Sequence, residues 1–252
     1  MGRKTVNFLL QHHPHSISTS SDLIDLLKVS KKENQKITIP SKPQITNAYT
    51  NAQRLIENSA KNGIIILHFN HPNFPKRLKN IPEAPVILYV KGNVAALNME
   101  RTVAIVGTRQ PTDYGLKAGE KLASTFARSK FVIVSGLAVG CDTAAHKGCL
   151  KENGITIAVM PSGLDWIYPK ENNSLAHEIL DKNGCLISEY PIGTSPKSSY
   201  FIARDRLQSG LSKVVIVIET GIKGGTMLTV EFALKQKRIL ACLTVSIRPN
   251  AS

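Results

Sequence analysis

Six short apolar segments after residue 100 constrain the fold of this chain most strongly. Each is a nearly continuous run of apolar residues, such as 214–218 (VVIVI), and a stretch of helical periodicity separates each run from the next. Strands of this kind are buried on both faces, as in a parallel sheet covered by helices. The pattern predicts an extended Rossmann-like, doubly wound and mostly parallel α/β sheet with helices on both faces. Strands are predicted at 103–106, 131–135, 155–160, 185–188, 213–218 and 239–243, and helices near 115–128, 142–152, 172–182, 201–210 and 225–237.

The first hundred residues follow a different pattern. Residues 1–44 are polar and irregular, so we predict a poorly structured segment in which residues 21–27 form one or two capped helical turns. Residues 45–100 predict a small α/β lead-in, with a helix over 45–62, a strand over 64–67 and a second strand over 85–90. The Rossmann-like core is then expected to span residues 101–252.

Charge and cysteine spacing limit the function classes. The chain has 32 Lys and Arg against 18 Asp and Glu, and residues 1–100 and 101–252 each carry a net charge of +7. A basic surface spread over a folded domain attracts polyanions. The four cysteines form no C-x-x-C pair, so we expect reduced thiols, no metal and no cofactor. Apolar runs are too short for a membrane span or a signal peptide, which favours a cytoplasmic protein with no membrane partner.

The ends of the predicted strands carry residue types that suit phosphate. Ligands of open parallel sheets bind at the carboxyl ends of the strands, where loops enter helices. Small residues and unpaired helix amides in such loops form an anion cradle, and an arginine fork suits phosphate. The glycines follow neither G-x-G-x-x-G nor the P-loop pattern, which disfavours dinucleotide and P-loop sites. After the first three core strands the candidates are Gly107, Thr108, Arg109, Ser135, Gly136, Ser162 and Gly163.

The last two loops add charge and stacking surface. Lys197, Phe201 and Arg204 lie at a loop-to-helix junction, a mixture that sequence-tolerant binding of single strands requires. Gly224, Gly225 and Thr226 open a helix after Lys223 and form another phosphate-friendly turn. Five side chains stay open between two roles: Glu219 and Glu231 are catalytic or support the loops, and His146, Trp166 and Tyr168 face the site or pack in the core.

Six segments together resemble the DprA/Smf family, DNA-processing protein A of bacterial transformation. They are VAIVGTRQPTDYG (103–115), VSGLAVGCDTAAHKG (134–148), TIAVMPSGLDWIYPKEN (156–172), LISEYPIGTSP (186–196), FIARDRLQSGLS (201–212) and VIETGIKGGTMLT (217–229). Their order matches the family's extended Rossmann domain across about residues 64–243, and residues 68–93 resemble its lead-in.

The resemblance implies a non-enzymatic protein that binds single-stranded DNA at the carboxyl edge of the sheet. It further implies natural transformation and competence as the setting, protection of incoming strands, assistance in loading a RecA-type recombinase, and a homodimer. In this sequence the implied contacts are Gly107, Thr108, Arg109, Ser135, Gly136, Ser162, Gly163, Lys197, Phe201, Arg204 and Lys223. Arg109 and Arg204 would hold phosphates, and Phe201 would lie against a base.

The chain departs from the family pattern in two places. Arg204-Asp205-Arg206 stands where Arg-Asn-Arg is usual, which puts a carboxylate near an anion site, and the sequence does not continue into a winged-helix domain. Two other functions stay open. One is a nucleoside-monophosphate phosphoribohydrolase like the LOG family, suggested by Gly224-Gly225-Thr226 with Glu231, and the other is a nucleotide-sensing Rossmann module.

Overall fold

The computed structural model of the chain describes residues 5–6, 9, 17, 19–33, 37–222 and 224–243. The strands are β1 Ile64–His68, β2 Ile87–Gly92, β3 Thr102–Val106, β4 Val132–Ser135, β5 Thr156–Val159, β6 Cys185–Ser188, β7 Val214–Val217 and β8 Ile239–Cys242. The α-helices are α1 Ser20–Glu33, α2 Lys42–Lys61, α3 Lys76–Lys79, α4 Asp113–Arg128, α5 Cys141–Lys151, α6 Asn173–Asp181, α7 Ser198–Leu211 and α8 Thr226–Lys235. Short 3-10 helices span Val94–Asn98 and Lys170–Asn172.

The eight strands form one sheet in the order β1-β2-β6-β5-β4-β3-β7-β8. Strands β3 to β8 pair in parallel, whereas β2 pairs antiparallel with both β1 and β6. Parallel strands require crossover connections, and α4 to α8 supply them. The predicted Rossmann-like, mostly parallel α/β fold is confirmed.

Side chains alternate between the two faces of the sheet, and each face is covered by helices. On one face Val215 and Val217 join a core with Leu207 and Leu211 of α7. On the other face Val103 and Ile105 belong to the same core as residues of α4 and α5. Burial on both faces explains why the core strands are apolar without interruption.

The lead-in has the predicted helix and two strands, whereas the N-terminal segment holds more helix than its polar composition predicts. β1 and β2 extend the core sheet, and helix α1 has 14 residues where one or two turns were expected. The prediction for residues 21–27 is wrong because Leu27 packs into a small core with Ile37 and Ile45, and this tertiary contact stabilises the longer helix. The domain boundaries after residues 44 and 100 stay predictions.

The structure bears on the expectations for the cysteine thiols and for a membrane-spanning helix. Cys141, Cys149 and Cys185 are buried free thiols, and Cys242 is an exposed one. None of the helices in the described ranges combines the length and the apolarity that a bilayer crossing needs.

Candidate functional site

Two adjoining cavities lie at the carboxyl edge of the parallel strands. The larger, of about 620 Å³, is bordered by the loops after β4, β5 and β6. The smaller, of about 340 Å³, is bordered by the loops after β3 and β7 and by the start of α8. Arg109, Ala138 and Phe201 line both cavities. The strand ends thus come together at one edge, as the parallel topology requires.

Arg109 and Phe201 form the wall between the two cavities. Arg109 follows β3, Phe201 lies in the first turn of α7, and the guanidinium carbon lies 4.9 Å from the ring centroid. Tyr168 also contacts the ring, with a centroid distance of 5.7 Å in an edge contact, and the guanidinium carbon of Arg204 lies 5.8 Å from the ring centroid. Arg109 is exposed, and its guanidinium has no hydrogen-bond or ion-pair partner within the described ranges. Stacking therefore orients a guanidinium whose N–H donors face solvent.

Arg204 is buried, lines the smaller cavity and joins three parts of the chain by hydrogen bonds and an ion pair. Its Nη1 donates to the carbonyl oxygens of Gly136 and Val159, both at 2.8 Å. Its Nε lies 3.0 Å from Oδ1 of Asp205. These contacts tie α7 to the ends of β4 and β5. The geometry therefore supports a positioning role for Arg204, and its role as a direct phosphate ligand stays a prediction.

The position of the Arg204 guanidinium requires a glycine at position 136. A Cβ atom at Gly136 would overlap the guanidinium of Arg204. The glycine at position 136 therefore makes room for the Arg204 side chain. The close approach of a ligand is not needed to explain why this residue is a glycine.

Two carboxylates lie beside Arg204. Burial raises the pKa of Asp205 to about 6, with a further rise from Asp142 and opposing effects of Arg204 and Arg109. Burial also raises the pKa of Asp142, against the attraction of Arg204. Two carboxyl groups sharing one buried arginine cannot both ionise freely, because each charge disfavours the other. The base of the smaller cavity is therefore sensitive to pH.

Three loop amides that sequence reasoning offered to an anion are already bonded. The N–H of Thr108 donates to the Glu219 carbonyl at 2.7 Å, and that of Gly136 donates to Oδ2 of Asp142 at 3.1 Å. The N–H of Gly163 donates to the Thr194 carbonyl at 2.9 Å. The expectation of an open amide cradle is wrong at these positions, because the loops satisfy their own amides. These three amides are therefore not available to an anion.

The remaining predicted site residues differ in access. Ser135 and Ser162 are both fully buried, and the Ser135 hydroxyl donates to the Ile105 carbonyl at 2.7 Å. Gly107 and Thr108 line the smaller cavity. Lys197 is exposed just before α7, with its Nζ 5.7 Å from the Tyr200 ring. Lys223 lies outside the described residues.

The structure gives the surroundings of the two acidic residues and the histidine whose roles stayed open. Oε2 of Glu219 accepts hydrogen bonds from the amide and the hydroxyl of Thr112, both at 3.1 Å, so Glu219 supports the loop after β3. Glu231 is exposed on α8 beside Lys235 and does not line either cavity. His146 is buried against the Thr156 hydroxyl at 2.7 Å, and burial lowers its pKa to about 3.

Trp166 and Tyr168 face the larger cavity, with 41% and 38% of their surface exposed. Lys170, which sequence reasoning did not select, lines the same cavity, and Thr220 and Thr226 line the smaller one. The signal for Lys170 was its place two residues after Tyr168 in the loop after β5. The larger cavity thus combines aromatic surface with two exposed cations, Arg109 and Lys170.

A family model described as DNA recombination-mediator protein A matches residues 65–252. The chain belongs to this family. The predicted resemblance to the DprA/Smf family is thereby confirmed, because the curated relatives of this chain are named Smf or DprA. Protein Smf of Synechocystis sp. is 42% identical over 165 residues, which cover 64% of this chain and 41% of that protein. The chain spans less than two thirds of the length of the first curated relatives that it matches.

Two solved structures of DNA processing protein A share the fold of this family member. The protein from Streptococcus pneumoniae superposes with a TM-score of 0.77 and 30% identity, over 97% of this chain and 81% of that one. The protein from Helicobacter pylori superposes with a TM-score of 0.67 and 35% identity, over 73% and 82% of the two chains. The latter structure is described as showing a unique mode of binding single-stranded DNA.

Proposed function

We propose that this DprA-family chain binds single-stranded DNA along the carboxyl edge of its sheet and catalyses no reaction there. The observation that carries the proposal is the Arg109 guanidinium, which is stacked on Phe201 and has no hydrogen-bond or ion-pair partner in the described part of the chain. A donor fork held in one orientation binds phosphate with little loss of side-chain entropy. The single-strand binding described for the Helicobacter pylori relative supports the same assignment.

The larger cavity supplies the complementary contact for bases. Trp166, Tyr168 and Phe201 present aromatic surface next to Arg109 and Lys170. Stacking on aromatic side chains tolerates any base, and cations beside the rings track the backbone. The proposal therefore includes weak sequence preference. The contacts proposed for Gly107, Thr108, Lys197 and Lys223 are part of it and stay predictions.

A nucleotide hydrolase is supported less well. Glu231, the acid that suggested a LOG-like reaction, lies away from both cavities. Burial raises the pKa of the Cys141 thiol to about 12, so this thiol behind Gly107 is protonated and a poor nucleophile. A release assay with nucleoside monophosphates tests this part directly, and ribose phosphate formation by the purified chain would contradict it.

The wider setting is proposed from the family. We infer that the chain acts in the cytoplasm during DNA uptake and recombination, protects incoming single strands and assists a RecA-type recombinase. A homodimer is part of this proposal, and light scattering should give about twice the monomer mass of 27.5 kDa. RecA filament formation on strands covered by a single-strand binding protein should be faster with the chain than without it.

The binding proposal is tested with a fluorescently labelled oligo-dT and the variant Arg109→Ala. Losing a charge-assisted contact should weaken binding by about 10- to 100-fold. Arg54→Ala is the matched control, because Arg54 is an exposed residue of α2 that lines neither cavity and carries the same charge. Equal affinities of the two variants, with the fold intact by circular dichroism, would overturn the assignment.

A further inference from the structure

The excess positive charge of the chain is not concentrated at the cavities. Carboxylates accompany the cations there, since Asp142, Asp205 and Glu219 all border or support the smaller cavity. A net charge of +14 must therefore be carried mainly on other surfaces. Part of this positive charge is clustered at the opposite edge of the same sheet, where the parallel strands begin.

Basic residues precede three adjacent parallel strands and the loop into a fourth. Arg101 comes directly before β3, Lys213 before β7 and Arg238 before β8, while Lys130 lies two residues before β4. Arg77 of α3 reaches the same place, because its Nη1 and Nη2 donate to the carbonyl oxygens of residues 99 and 100 at 2.8 and 2.7 Å. We call these five residues the amino edge.

Backbone hydrogen bonds fix the spacing of the amino edge. The carbonyl of Arg101 accepts from Val132, the amide of Lys213 donates to Thr102, and the carbonyl of Lys213 accepts from Ile239. Successive strands therefore begin side by side, and neighbouring strands are about 4.8 Å apart. Burial lowers the pKa of Arg238, and the positive charge of Arg77 lowers it further.

Such a row lowers stability unless something anionic offsets it. Like charges at this spacing repel, and few acids are near. Burial lowers the pKa of Arg77, and the carboxylate of Glu100 opposes this effect. Glu152 forms an ion pair with Arg128 at 3.2 Å. Lys130, Arg101 and Lys213 are exposed, and none of them forms an ion pair with a residue in the described ranges. A surface that concentrates unpaired cations is suited to a polyanion.

A small cavity beside the amino edge, with both polar and apolar residues in its lining, favours one class of polyanion. It has a volume of about 140 Å³ and is lined by Met99, Lys130, Phe131 and Glu152 among others. Arg101 lies over the Phe131 ring at 6.0 Å from the centroid. Cavities of about 150 Å³ hold one benzene-sized ring. A ring site flanked by cations fits a strand of phosphates and unpaired bases better than a lipid surface or a duplex.

We propose that the amino edge is a second binding surface for single-stranded nucleic acid, opposite the carboxyl edge. It contacts phosphates through its cations and one base through the cavity at Phe131. The inference rests on the proposed function, because the amino edge would bind either a further part of the strand held at the carboxyl edge or a second strand. Short oligonucleotides fill the carboxyl edge alone, whereas longer ones reach both edges.

The test combines Arg101→Gln, Lys130→Asn and Lys213→Gln in one variant. Asn is chosen at Lys130 because the backbone φ there is +61°, which Asn tolerates. The matched control removes the same charge from the exposed lysines of α4 and α5 with Lys117→Gln, Lys121→Gln and Lys147→Gln. Affinity is measured for dT strands of about 8 and about 40 nucleotides across a salt series.

The amino-edge variant should bind the short strand as the wild type does and the long strand about tenfold more weakly. Its salt slope for the long strand should fall by about 2, because three phosphate contacts at about 0.7 each are lost. The control should change either affinity less than threefold. Equal behaviour of the two variants on the long strand overturns the inference, whereas failure of the wild type to bind either strand overturns the proposed function. Binding of anionic vesicles that is lost in the amino-edge variant, with DNA binding unchanged, assigns the surface to a membrane and also overturns the inference.

Discussion

The guanidinium of Arg109 lies 4.9 Å from the centre of the Phe201 ring, on the wall between the two cavities of the carboxyl edge. The two residues come from the loop after β3 and from the first turn of α7, which are 92 positions apart in the sequence. Their contact makes one unit of a phosphate donor and a stacking surface. DNA binding and the stability of the carboxyl edge should depend on this unit and on the residues that hold it.

Replacing Phe201 with Leu should weaken binding of oligo-dT while leaving the chain folded. Leu retains apolar volume but loses the ring face that orients Arg109 and stacks on a base. Such stacking contributes about 1–3 kcal/mol per base, so the dissociation constant should rise about 10-fold or more. Fluorescence anisotropy checks it, and Phe201→Tyr, which keeps the ring face, should bind within about threefold of the wild type.

Replacing Gly136 with Ala should destabilise the fold at the carboxyl edge. The new methyl group would overlap the Arg204 guanidinium, which is held by the Val159 carbonyl and by Asp205 and cannot move freely. Overpacking of this kind costs about 1–3 kcal/mol. Urea unfolding measures the loss. Gly225→Ala, where a Cβ meets no atom within 4 Å, is the control, and an equal effect of both changes would contradict the account.

The variant Asp205→Asn should remove a pH-dependent loss of stability. The raised pKa of about 6 means that native Asp205 keeps its proton to higher pH than the unfolded chain, whose reference value is 3.8. The native state then binds more protons between these values, so this residue's contribution to the free energy of unfolding falls as pH rises from about 4 to about 6. The variant should gain about 1–3 kcal/mol relative to the wild type between pH 4.5 and pH 7.

His146 has the opposite effect on stability, because burial lowers its pKa to about 3. It is present in both proteins, so the difference between their urea unfolding curves isolates Asp205. A difference that is constant from pH 4.5 to pH 7 would show that Asp205 does not titrate in this range in the native state.

DNA affinity should follow the charge of Asp205. Below about pH 6 the wild-type carboxyl is neutral and no longer opposes phosphate beside Arg204 and Arg109. Wild-type affinity for oligo-dT should therefore increase several-fold from pH 7.5 to pH 5.5. Asp205→Asn should bind more tightly than the wild type at pH 7.5 and show a smaller change with pH. Parallel pH profiles of the two proteins would exclude this role.

The single tryptophan of the chain reports on the larger cavity. Trp166 borders that cavity, is 41% exposed, and places its Nε1 3.5 Å from the Thr194 carbonyl. Stacking of a base there should quench or shift its emission as oligo-dT is added. An abasic strand of equal length should bind through its phosphates and leave the emission unchanged. Unchanged emission at saturating oligo-dT would place the bases elsewhere.

The fold was largely predictable because its signals are local. Strands such as 214–218 and the helices between them show their period within a few residues, and parallel topology then places the carboxyl ends at one edge. The antiparallel pairing of β2 with β6 was not predictable, since it joins Tyr89 with Ser188 and no local pattern encodes a partner 99 residues away. The extension of α1 depended on the packing of Leu27 in one core with Ile45, which local periodicity also does not encode.

The location of the candidate site was predictable from the sequence, but the roles of its residues were less so. Sequence reasoning located Arg109 after a strand and Phe201 and Arg204 at a loop-to-helix junction, and all three line the smaller cavity. It did not show that Arg204 is turned inward toward Gly136, or that Asp142 bonds the loop amides. Hydrogen-bond partners depend on side-chain directions and on loops that are distant in sequence, so only the structure supplies them.

The central claim is that several phosphates of one strand are held at the carboxyl edge around Arg109. Its most direct test is the salt dependence of affinity for an oligo-dT of about 8 nucleotides beside that for thymidine monophosphate. Each phosphate contact adds about 0.7 to the slope of log affinity against log salt. The account predicts a steep slope for the oligonucleotide, a shallow one for the nucleotide, and a reduced oligonucleotide slope in Arg109→Ala. Equal slopes for the two ligands, unchanged in Arg109→Ala, would contradict it and indicate a site for a single nucleotide.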